Sequence, residues 1–221
     1  MYRKELAYYF SSPVAYIVLG LYLLAVSLFL WVIPGEWNIV ESGYAQTDGL
    51  FRLSPWLMML LCPALTMRLF AEERQTGTWN LLIAKRIPVW RIVFSKYLAA
   101  WTLTAIAILP CVVHFFLVSS IAEPAGNVDG AQFAGSMAGL LFLSLSFTGI
   151  GLVTAATTRS QIVAFILGAV ICFVLYWVVI QSHYTSISRG VIDLRDVLFF
   201  LSVAAIGVIL TILIIERITR K

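Results

Sequence analysis

Six long apolar runs dominate this chain and leave few folds open to it. They cover residues 14–33, 53–70, 97–121, 133–157, 162–180 and 197–215. A helix needs about 20 apolar residues to cross the hydrocarbon core of a bilayer. Each run is close to that length or longer. The runs are continuous, whereas the strands of a membrane barrel alternate over about ten residues. Inside lipid the backbone must satisfy its own hydrogen bonds, and for continuous runs that means helix. The expected fold class is therefore an all-α polytopic membrane protein with six transmembrane helices.

Composition agrees. The chain has 221 residues, 61% hydrophobic and 12% charged, against about 45–50% and about 25% in soluble domains. A soluble enzyme, a secreted disulfide scaffold and a disordered chain are excluded. Cys62, Cys111 and Cys172 each lie inside an apolar run. An odd, lipid-depth set reads as small core hydrophobes, not as a disulfide framework or a metal site.

The charge is distributed unevenly. With the N-terminus inside, all the lysines and arginines except Arg52, Arg189 and Arg195 fall on the inner side, twelve of the fifteen. The positive-inside rule then places both termini in the cytoplasm. The net charge of +4 is explained by topology, so no nucleic-acid partner is expected. Arg3 and Lys4 precede the first run as in a signal peptide. That run is longer than a signal core and ends at Trp31–Gly35 without a small-residue cleavage pattern, so it is expected to be retained. Residues 1–12 read as an interfacial helix with Leu6, Tyr9 and Phe10 on one face. Pro13 breaks it from the first run.

Residues 71–96 are the informative inner segment. Gly77 is a turn point, and Thr78 can cap a following helix. Trp79, Leu82, Ile83 and Arg86 recur at i, i+3, i+4 and i+7 and share a face. Pro88 ends that helix and can open the next. An aromatic and aliphatic face beside Lys85 and Arg86 suits docking into a groove on a soluble partner. A helix lying on the lipid surface fits the same periodicity. It does not account for Glu72-Glu73, because acids are disfavoured at an anionic surface.

The order Arg68, Glu72-Glu73, Gly77-Thr78, Leu81-Leu82, Pro88-Val89, Lys96 resembles the permease subunits of ABC-2-type transporters. Further strings extend the resemblance over essentially the whole chain. They are Tyr9-Phe-Ser-Ser-Pro13, Ser54-Pro55-Trp56, Pro63-Ala-Leu-Thr-Met-Arg68, Gln161-Ile-Val-Ala-Phe165 and Ser186-Ile-Ser-Arg-Gly-Val-Ile-Asp193. Within that class the chain is most similar to the gliding-motility-associated ABC permease type. The resemblance implies six helices, pairing through the first and fifth, and mechanical input through a coupling helix at about 78–86. Glu72, Glu73 and Gly77 match the segment leading into it. Implied partners are ABC ATPase subunits and either a second permease copy or a related membrane subunit with a large periplasmic domain, all in membrane lipid. Implied location is a bacterial inner membrane. The sequence contains no Gly-x-x-x-x-Gly-Lys-[Ser/Thr] phosphate loop. No cofactor and no catalysis are therefore expected in this chain, with ATP and Mg on the partner ATPase. A non-transporting scaffold, driven by the same ATPase to support a periplasmic complex, remains the alternative.

His114 lies within the third run and reads as a neutral, hydrogen-bonded core residue. His183 reads as an outer surface contact. Ser136 and Ser146 with His114 lack the motif of an intramembrane serine protease. The runs also lack the midplane acids of an ion-coupled carrier. Gly135-x-x-x-Gly139, Gly149-x-Gly151 and Ala164-x-x-x-Gly168 permit close helix contact, first of all within the subunit, and the family resemblance implies a second use of the last at a subunit interface. Residues 181–196 read as short re-entrant helices or a plain loop, and 216–221 as an inner tail.

Overall fold

The computed structural model describes residues 1–75, 87–124, 128–190 and 193–219. Among them every regular element is helical. Among the described residues six helices are long and apolar enough to cross a membrane: Pro13–Trp31, Asp48–Glu73, Val89–Ile121, Gly130–Thr157, Gln161–Ile187 and Leu194–Ile218, here spans 1 to 6. Each apolar run falls on one of them. The N-terminal helix Tyr2–Ser11 precedes span 1. It is set off by an extended Ser12 and by Pro13, whose fixed φ suits the first position of the next helix.

Span 4 is the centre of the bundle and packs against spans 2, 3, 5 and 6. Spans 2 and 4 have 67% of their apolar windows buried, whereas spans 1 and 5 have 22%. The bundle thus has a core of two helices and a periphery with wide apolar faces. Asp129 caps span 4, its Oδ1 accepting from the N–H of Ala131 at 2.9 Å and of Gln132 at 3.0 Å. Pro110 interrupts span 3 with a single 3₁₀ turn, Leu109–Cys111, because it cannot donate to the helix ladder.

Two helices extend well past their apolar runs. Span 3 is already helical at Val89, eight residues before Tyr97. Span 5 continues through one π-helical turn, Tyr176–Ile180, into Gln181–Ile187. The first half of the polar 181–196 segment is therefore a continuation of span 5, not a separate re-entrant helix. Buried Tyr184 fixes it by donating its hydroxyl to the Phe51 carbonyl at 2.8 Å. The turn that follows needs Gly190, at φ +83, a backbone conformation that disfavours any Cβ.

The small residues of span 5 are used inside the chain. Ala164 is buried, and a Cβ on Gly168 would sit 3.0 Å from both Pro63 Cβ and Thr154 Oγ1. This is packing within the subunit, the use expected first of that pair. The exposed face of span 5 carries instead Ile162, Ile166, Val170, Phe173 and Trp177.

His114 is buried, and Trp31 donates its indole N–H to His114 Nδ1 at 3.0 Å. Indole is only a donor, so Nδ1 is the accepting nitrogen of a neutral ring. The bond joins span 1 to span 3, as the core reading of His114 requires. Interhelical polar bonds in membranes are worth about 0.6–1.7 kcal/mol. His114→Leu is thus expected to lower stability by about 1 kcal/mol, measured as thermal unfolding in detergent. Lost transport with stability intact would assign His114 a functional role instead.

Candidate functional site

The residues that flank 76–86 are held by a buried cluster of charge. Glu73 lies at the end of span 2 and Lys96 near the start of span 3. Lys96 is 1% exposed. Its Nζ lies 2.7 Å from Glu73 Oε1 and 3.2 Å from Glu5 Oε2. It also sits 5.6 Å above the ring of Phe70, which is wholly buried. An ammonium out of water must be neutralised by close partners or lose its proton. Here two carboxylates and an aromatic face do this, each from a residue remote from Lys96 in sequence. The two chain ends that enter and leave 76–86 are thereby pinned together, and the N-terminal helix is pinned to both.

Glu72, next in sequence to Glu73, has different partners. Its Oε2 lies 3.5 Å from Arg68 Nε, one helical turn earlier, and Arg68 also donates to Ser12 Oγ at 3.2 Å. Tyr8 bonds Glu72 through its hydroxyl. Partial burial, and then that bond, push the Tyr8 phenol up to about 12. Adjacent acids thus tie span 2 to separate elements: Glu73 to span 3, Glu72 to the N-terminal helix and its junction with span 1.

The N-terminal helix turns Tyr2, Glu5, Leu6 and Tyr9 inward, and Phe10 outward. The expectation had Phe10 on one face with Leu6 and Tyr9; the observed inward spacing is i, i+3, i+4, i+7 counted from Tyr2 and leaves Phe10 out. Tyr2 shares a 3.0 Å hydroxyl–hydroxyl bond with Thr102 in span 3. Tyr9 donates to the Leu65 carbonyl at 2.6 Å, next to the break at Met67 that divides span 2 into Asp48–Thr66 and Arg68–Gln75.

Of the residues singled out from sequence, Glu72 and Glu73 take part in this frame. Gly77, Thr78, Trp79, Leu82, Ile83, Lys85 and Arg86 lie outside the described residues. Glu5 and Lys96 were missed as members of a site. The available signal was a lysine opening an apolar run, with an acid on the apolar face of the preceding amphipathic helix. His183, read from sequence as a surface contact, bonds Asp196 Oδ1 at 2.7 Å through Nδ1 and stacks on Phe199 at 4.1 Å. It fastens Gln181–Ile187 to span 6. Among the described residues no group of histidine, cysteine, aspartate and glutamate could hold a metal ion.

A search of curated proteins finds no match to the chain. The family model described as "ABC-2 family transporter protein" matches residues 39–215, from the segment after span 1 almost to the end of span 6. That match takes in spans 2 to 5, nearly all of span 6, and the whole of the segment framed by Glu73 and Lys96, so the chain belongs to the ABC-2 transporter family and is a multi-pass permease subunit of an ABC transporter.

Proposed function

We propose that this permease receives mechanical work through residues 76–86 from a separate ABC ATPase and uses it for export, or for remodelling, across a bacterial inner membrane. Both termini and 76–86 lie on the cytoplasmic side in this reading, which the distribution of lysine and arginine supports. The carrying observation is the Glu73–Lys96 pair. A segment held at its two ends by a buried ion pair passes a push into spans 2 and 3 instead of absorbing it by splaying. The docking residues in this reading are Thr78, Trp79, Leu82, Ile83, Lys85 and Arg86, with Gly77 before them. The gliding-motility-associated type is the finer assignment, supported by the strings around Tyr9–Pro13 and Ser186–Asp193. The second membrane subunit is another copy of the chain or a relative with a periplasmic domain. The wide apolar faces of spans 1 and 5 leave room for either.

Docking predicts a clean loss. Leu82→Asp puts a charge into an apolar contact, and Trp79→Ala removes its largest side chain. Central aromatic and apolar anchors are worth about 2 kcal/mol or more, so each variant is expected to weaken ATPase binding by roughly 30-fold or more. The measurement is the amount of ATPase that co-purifies with correctly inserted permease. Undiminished co-purification in both variants would remove the docking role. ATPase stimulation by a defined substrate in vesicles separates transport from a substrate-independent mechanical role.

A further inference from the structure

We propose that Lys96 is a positioning residue for force transfer, and that through Glu5 it makes the N-terminal helix move with residues 76–86. The proposal rests on the coupling reading above. Its ground is the way the helix is attached. The Tyr2–Thr102 bond of 3.0 Å and the Glu5–Lys96 ion pair of 3.2 Å join it to span 3. The Tyr9–Leu65 bond of 2.6 Å joins it to span 2. These are the two spans that carry 76–86. Its connection to span 1, by contrast, runs through extended Ser12 and Pro13, where no continuous helix hydrogen bonding resists bending.

The charge pattern gives the helix two distinct sides. Arg3 and Lys4 are exposed, as a headgroup-facing side requires, while Glu5 turns inward to the buried ammonium. A helix that only floats at an interface has no use for an inward carboxylate. Lys96 therefore acts as a shared counter-ion: its bond to Glu73 sets the base of the segment, and its bond to Glu5 recruits the helix to the same body. The helix then follows a displacement at 76–86 together with spans 2 and 3, and the joint at Ser12 and Pro13 lets it do so independently of span 1.

The test uses the permease purified with its ATPase in lipid nanodiscs. An environment-sensitive fluorophore is placed on Ala7→Cys, an exposed position of the helix, or on Asn80→Cys in the segment. Cys62, Cys111 and Cys172 are buried, which leaves the introduced thiol as the accessible one. Mg²⁺ with a non-hydrolysable ATP analogue is the stimulus. The expected result is a nucleotide-dependent emission change at both positions. Glu5→Gln, which removes one charge-assisted bond, cuts the change at position 7 by about half or more. It leaves the response at position 80 and the bound ATPase as they were. Lys96→Arg retains the cation and retains both responses. A full response at position 7 in Glu5→Gln would overturn the proposal, as would a response at 80 with none at 7 in otherwise unaltered protein. Silence at both positions with ATPase bound would instead sink the coupling reading beneath it.

Discussion

Lys96→Met is expected to be the most damaging single substitution at the base of the bundle. Methionine fills a similar volume, so the loss is electrostatic, not a cavity. The Glu5 and Glu73 carboxylates would face one another without the ammonium that now lies 3.2 and 2.7 Å from them. Removing one partner of a buried ion pair costs about 3–5 kcal/mol. The two acids keep 16% and 21% of their side-chain exposure, enough for partial hydration, which puts the expected loss near the lower end of that range. The check is thermal unfolding of the purified permease in detergent, with the triple variant Lys96→Met, Glu5→Gln, Glu73→Gln beside it. If the cost is the uncompensated charge, neutralising both acids restores most of the stability. A single variant as stable as the parent would show that the cluster holds nothing together. A triple variant no better than the single would place the loss in packing over Phe70.

The same cluster marks where local sequence stops being informative. The six apolar runs were legible because a bilayer sets a minimum length that only a continuous run can meet, and each run does fall on a spanning helix. The first turns of span 3 were not legible in that way. Arg91, Ser95 and Lys96 belong to the polar stretch before the third run, yet Ser95 and Lys96 are buried; Lys96 can be so because the carboxylates that neutralise it come from positions 5 and 73. Polarity along a segment says nothing of partners 23 or 91 residues away. Gln181–Ile187 was misread for a related reason. Its polar letters hide Tyr184 and Ile187, which are buried against spans 2 and 4. Glu72 and Glu73 are adjacent letters with different partners. The division of labour between the two acids needed the structure.

A second large effect is expected where spans 4 and 6 touch. These two helices make the most extensive contact in the bundle. A Cβ on Gly207 would lie 2.8 Å from the Gly149 carbonyl carbon and oxygen and 3.0 Å from its Cα. The obstacle is backbone, so no side-chain rotation relieves it and span 6 must move away. That movement strains the 3.0 Å bond from Ser146 Oγ to the Phe200 carbonyl and unpacks Phe200, which is wholly buried. Overpacking a tight core costs about 1–3 kcal/mol, and Gly207→Leu, with three further carbons to place, is expected at or above the top of that range. The ranking is a sharper test than any one value. Gly149→Ala, whose Cβ would meet Ala204 at 3.3 Å, should cost less than Gly207→Ala. Gly20→Ala, with nothing within 4 Å of its Cβ position, should be neutral or gain up to about 1 kcal/mol from helix propensity. Thermal unfolding of these variants in one detergent gives the order directly. A Gly207→Ala protein that melts with Gly20→Ala would mean that spans 4 and 6 do not meet backbone to backbone. The central position of span 4 would then have to be redrawn.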